Sequence, residues 1–172
     1  LFMRIKKVYK NRNNLNLHED QRLLDITYKD FIRNGAALNE ENKDKLRNID
    51  KELSTLSPQF SKNALNATNE FELWLEKDDL DGLPKIIIDS AKLAAKDKGQ
   101  ENKWLITGQF PSFSPFLKYS NRRDLRKKVH FGITTKCNGG RHDNNELCKK
   151  IAKLKHERAK ILGFSNYADY IL

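Results

Sequence analysis

The residues nearest to a catalytic motif are His18-Glu19-Asp20-Gln21-Arg22. A zinc peptidase helix needs His, Glu, two spacers and a second His, because residues four apart share one helical face and can pinch a metal while the Glu activates water. Arg22 stands where the second His would be. A guanidinium stays protonated and cannot be a ligand, so His18 and Glu19 read as polar residues of a helix's first turn. Cys137, His142, Cys148 and His156 can be drawn as a four-ligand zinc set. Cys148 and His156 fall on one expected helix, about 12 Å apart at roughly 1.5 Å per residue, too far for ligands that sit about 2.0 to 2.3 Å from one ion. They read as two thiols beside a core and two solvent-facing imidazoles. Gly139-Gly140 is followed by no Lys-Ser or Lys-Thr, no Gly-x-Ser-x-Gly elbow occurs, and Ser112 and Ser114 have no local His or acid partner and are expected to serve a turn. No catalytic, cofactor-binding or metal-binding residue is therefore assigned.

Charge offers the next candidate chemistry. Thirty-three Lys and Arg against 23 Asp and Glu leave the 172 residues at +10. Arg122, Arg123, Arg126, Lys127 and Lys128, followed by Lys149, Lys150, Lys153, Lys155, Arg158 and Lys160, could meet phosphates. They are spread round their helices, however, and Asp124, Glu146 and Glu157 are interleaved, so no nucleic-acid partner is expected. No apolar run approaches the roughly 18 to 20 residues that span a bilayer, so a soluble chain with no membrane partner is expected. Two cysteines suit a reduced compartment, and residues 1–10 lack the apolar core and cleavage site of a signal peptide. A cytoplasmic location follows. The chain starts at Leu1 and is expected to be a piece of something longer.

The elements that would carry these residues are mostly helices. Leu17, Leu24, Tyr28 and Phe31 recur at helical spacing over 15–33, and Asn34-Gly35 supplies a stop. Asn39 offers an N-cap for a long helix with Leu46, Ile49, Leu53, Leu56 and Phe60 on one seam, pairing with the first as a helical hairpin and bending near Ser57 because of Pro58. Phe71, Leu73 and Leu75 alternate as in a strand, 103–107 is a second strand, and a short helix lies between them. The segment 110–116, with two prolines, is expected to turn into a short helix. Asn121 would cap a helix to about 134, Asp143 another with Glu146 as a capping box, and a last short helix covers 165–172. The fold class is mainly α: a helical hairpin plus further packed helices and a small two-stranded β element, over one domain, 1–172.

In that order the segments resemble the thimet oligopeptidase family of zinc metallopeptidases, nearest its bacterial peptidyl-dipeptidase (dipeptidyl carboxypeptidase) and oligopeptidase A branch. The likeness is carried by Gln21-Arg22-Leu23-Leu24 with Tyr28-Lys29-Asp30-Phe31-Ile32-Arg33-Asn34-Gly35-Ala36, by Gln59-Phe60-Ser61-Lys62-Asn63, and by Leu80-Asp81-Gly82-Leu83-Pro84. Lys103-Trp104-Leu105, Gly139-Gly140-Arg141-His142-Asp143-Asn144 and Leu162-Gly163-Phe164-Ser165-Asn166-Tyr167-Ala168-Asp169-Tyr170 complete it.

The resemblance implies part of a larger helical peptidase fold, whose zinc is held by two His of a His-Glu-x-x-His helix and a later Glu. No position here matches those ligands. It further implies a non-catalytic N-terminal part, without zinc or activity of its own, that packs on a missing C-terminal half and forms scaffold around a channel for short peptide substrates. The whole enzyme would release dipeptides from a peptide's C-terminus, with oligopeptidase cleavage the alternative. Readings from another class are a basic helical nucleic-acid-binding module or an interaction module.

Overall fold

A computed structural model describes residues 1–15 and 17–172. Among them the chain forms α1 (Phe2–Lys10), α2 (His18–Arg33), α3 (Glu40–Glu70), β1 (Glu72–Leu75), α4 (Lys85–Asp97), β2 (Trp104–Thr107), α5 (Phe110–Tyr119), α6 (Arg123–Thr134), α7 (Asn145–Ile161) and α8 (Tyr167–Ile171). Residues 1–56 with 150–172 make one compact unit and residues 57–149 another, so α3 and α7 each contribute to both.

In the first unit, α2 begins at His18 rather than at 15 because Leu17 is extended, with φ −100° and ψ 132°, and the Gln21 amide donates to the Leu15 carbonyl at 2.9 Å. Its stop falls at Asn34-Gly35 as expected, with Gly35 at φ +86°. The sequence reading placed no helix before it. The structure adds α1, whose Phe2 ring lies 6.1 Å from Tyr28 and 6.0 Å from Phe31, while Tyr9 stacks on Tyr28 at 3.9 Å. Arg12 then approaches Asp25 at 3.8 Å. Partners descending from 31 to 25 as α1 ascends make an antiparallel helical hairpin. Aromatic stacking of this kind adds about 0.5 to 1.5 kcal/mol per pair beyond area burial.

Asn39 caps α3 by accepting the Asn42 N–H at 2.9 Å, and Leu46 and Ile49 are buried on its seam. α3 stays helical on both sides of Pro58. Leu154 and Ala159 are the buried positions of α7 here, and Asn166 caps α8 by accepting the Asp169 N–H at 2.9 Å.

The second unit is built on the expected strand, helix and strand. β1 and β2 pair antiparallel, with Leu73 opposite Ile106 and Leu75 opposite Trp104. Glu72 and Trp74 share the other face, where the indole N–H donates to the Glu72 carboxylate at 3.1 Å. Leu75, Leu83, Ala91, Ile106, Phe116, Leu125 and Val129 form the core.

Three local expectations shift. The proline-rich segment is itself the start of α5, since Pro111 sits in the first turn, where a missing N–H removes no helical bond. Asn121 does not cap α6: its N–H and amide donate to the Asp81 carbonyl and carboxylate at 3.0 and 3.1 Å, and Arg122 takes the N-cap position. At α7 the first helical bond runs from the Cys148 N–H to the Asn144 carbonyl at 2.8 Å, so the cap lies one residue beyond Asp143 and Glu146 pairs instead with Lys149 at 2.7 Å.

Asp143 holds the preceding loop, its carboxylate accepting the Gly139 and Asn145 N–H groups at 3.0 Å each. Those bonds keep its carboxyl below the usual aspartate range. A lowered folded-state pKa contributes stability that is present above the unfolded value, near 4, and is lost as pH falls through the folded one. Asp143→Asn is therefore expected to melt below wild type at pH 7, with the gap closing below about pH 3; thermal melts across that range check it.

Candidate functional site

The structure separates the sequence's candidate ligands rather than gathering them. His18, Glu19 and Arg22 lie on the exposed side of α2's first turns. Cys137 is half-buried in the loop before α7 with a left-handed φ of +62°, while Cys148 and His156 are exposed along α7. His142 is the one candidate in close contact with an acid: its Nε2 is 2.8 Å from Glu70 Oε2, with Arg141 at 3.8 Å from the same carboxylate. Glu70, the last residue of α3, went unnoticed in the sequence because nothing local ties it to a loop seventy residues on. Among the described residues no group of three His, Cys, Asp or Glu converges as metal ligands do. The residues present therefore do not fit a zinc site.

Ser112 supports the turn, accepting the Thr107 N–H at 2.9 Å. In the second unit, Arg122 is gripped by Asp79 and Asp124, and the bond from Arg122 holds the Asp124 carboxyl below its usual range. Arg126 donates to the Ser120 carbonyl. In the first unit, Arg158 meets Asp50 at 2.8 Å, Lys150 meets Glu52, and Lys155 lies 5.0 Å from the Tyr167 ring. Cations held by acids and rings in this way are poor phosphate ligands.

What the structure does gather are residues from different resemblance segments. In the first unit, the Arg33 guanidinium donates to the Tyr170 carbonyl and, at 3.2 Å, to that of Ile171, and lies 5.2 Å from the Tyr170 ring. The Arg158 guanidinium is 5.0 Å from the same ring.

In the second unit, Asn144, 4% exposed, donates from its amide to the Phe60 carbonyl at 3.1 Å and accepts from the Asn63 amide at 2.9 Å. Asp81 and Gly82 close against Tyr119 and Asn121. Each junction satisfies polar groups that would otherwise be left orphaned, a cost of about 1 to 3 kcal/mol per buried group. Their chemistry is that of assembly: no nucleophile, base or open ligand position remains.

Comparison with known proteins gives these junctions a lineage. The chain is 36% identical over 156 residues to organellar oligopeptidase A of Arabidopsis thaliana, an alignment covering 87% of this chain and 20% of that protein. The probable cytosolic oligopeptidase A of the same plant is 35% identical over 87% of this chain and 22% of its own length. A dipeptidyl carboxypeptidase of Salmonella typhimurium is 31% identical over 99% of this chain and 25% of its own length. The chain belongs to the thimet oligopeptidase family. It spans about a fifth to a quarter of the length of the curated relatives it matches, and its mainly helical architecture agrees with part of that family's larger fold. No protein-family model matches the chain. No helix among the described residues is long and apolar enough to cross a membrane.

Proposed function

We propose that this chain is a non-catalytic, N-terminal structural part of a zinc-dependent peptidase, forming scaffold beside the channel that receives short peptides. The observation that carries the reading is the use of the resemblance residues: Arg33, Asn63, Asp81, Asn144 and Tyr170 join segment to segment and leave no reactive group free. Zinc would belong to residues of the whole enzyme outside this chain, and no step of hydrolysis is assigned to the residues described.

Release of C-terminal dipeptides by that enzyme is supported by the alignment with a dipeptidyl carboxypeptidase along 99% of the chain. The higher identity to oligopeptidase A supports the second reading, oligopeptidase cleavage. A cytoplasmic location is supported by the relative named cytosolic, and the organellar relative marks the alternative.

Dialysis against zinc followed by metal analysis tests the scaffold reading. Far less than one zinc per chain is expected, and stoichiometric zinc would overturn it.

A further inference from the structure

α1 divides into two unlike halves. At 3.6 residues per turn each residue advances 100°, which places Phe2, Ile5 and Tyr9 on the arc that stacks on α2, and all three are half-buried. The opposite arc carries, in angular order, Lys10, Met3, Lys7, Arg4, Val8 and Leu1, and every one of them is exposed. Leu1, Met3 and Val8 are 85%, 73% and 49% exposed. No acid occurs before Glu19. Among the described residues, the one cation of this segment with an acidic partner is Arg12, beside Asp25; Arg4, Lys7 and Lys10 have none. Elsewhere in the first unit, exposed lysines such as Lys43, Lys45 and Lys150 are matched with glutamates. The acids nearest in sequence, Glu19 and Asp20, lie in α2's first turn, and Asp30 lies near its end.

We propose that the outer half of α1 is a docking surface for an anionic lipid bilayer, with the helix lying in the plane of the headgroups. The alternation of cations with exposed apolar side chains and the absence of acids are what such a surface selects. Leu1, Met3 and Val8 would leave water for the acyl boundary while Arg4, Lys7 and Lys10 extend to lipid phosphates. A nucleic acid would meet the cations but give no burial to the apolar residues between them. The expectation of no membrane partner rests on the lack of a spanning run, which does not bear on a helix lying at a surface.

Sedimentation of the chain with vesicles tests this. Binding is expected to vesicles containing about 30% phosphatidylserine and not to phosphatidylcholine alone, and to disappear when salt is raised from about 0.05 to about 0.5 M. Lys7→Gln with Lys10→Gln is expected to lower the partition coefficient roughly 25-fold, about fivefold per charge. Met3→Ser with Val8→Ser is expected to lower it several-fold on the same vesicles. All four side chains are exposed, so unchanged circular dichroism and melting should accompany both variants. The proposal is overturned by an absence of binding to the anionic vesicles, by equal binding to neutral ones, by partition unchanged in the lysine variant, or by single-stranded DNA displacing the chain from the vesicles.

Discussion

Phe116→Ala is expected to destabilise the unit formed by residues 57–149 by about 3 to 5 kcal/mol, the range for truncating a fully buried aromatic ring. Phe116 has no exposed surface and packs in the cluster of Leu75, Leu83, Ala91, Ile106, Leu125 and Val129. The helix that carries it cannot compensate. α5 has ten residues, among them Pro111 and Pro115, and a helix that short is held by its packed face rather than by intrinsic propensity. A cavity beneath it would thus loosen the helix as well as the core. With each kcal/mol worth roughly 4 to 8 °C for a unit of this size, the melting temperature should fall on the order of 20 °C. Urea unfolding followed by circular dichroism measures the loss. Phe131→Ala, at a ring 54% exposed, should stay within about 1 kcal/mol of wild type; equal effects of the two variants would contradict the assigned core.

Gly82→Ala is the second large effect. Gly82 has φ +81°, and a Cβ built there would lie 2.5 Å from the Tyr119 carbonyl oxygen and 2.9 Å from Asn121 Cγ. The left-handed conformation alone costs a side-chain-bearing residue about 1 to 2 kcal/mol. The approach to a backbone carbonyl cannot be relieved by a rotamer change, so displacement of the segment that Asp81 anchors to Asn121 adds about 1 to 3 kcal/mol more. Gly99 isolates the second contribution, because its φ of +78° is similar and nothing lies within 4 Å of its built Cβ. Gly99→Ala is expected to lose about 1 kcal/mol and Gly82→Ala about 3. Equal losses, read by the same urea curves, would mean that the approach of Tyr119 is unimportant.

Wherever a periodic apolar pattern met a local stop signal, the element was legible in the sequence. Asn34-Gly35, the Asn39 cap and the alternation of Phe71, Leu73 and Leu75 each reported structure made by near neighbours. Shifts came where a polar side chain had a distant partner. Asn121 and Asp143 both look like caps by type, but Asp81 claims the first and the Gly139 amide the second. α1 was missed for a related reason: its helix is held by rings of α2 some twenty residues away. The prolines of α5 hid a helix because its placement depends on Phe116 reaching the core.

The site question followed the same division. Ligand spacing on one helix was decidable from residue numbers, which removed Arg22 and the pair Cys148 and His156. The junctions of Asn63 with Asn144 and of Arg33 with Tyr170 were not, since only folding brings those residues together. The resemblance segments were visible as words in a sequence, and their work as joints was not.

Hydrolysis of internally quenched peptides by this chain, with added zinc and with a chelator, is the most direct measurement of whether it is scaffold without a catalytic centre. The predicted result is a rate equal to buffer alone in both conditions, with the protein shown to be folded by a cooperative melt. Zinc-dependent, chelator-sensitive turnover that scales with the concentration of the chain would contradict it.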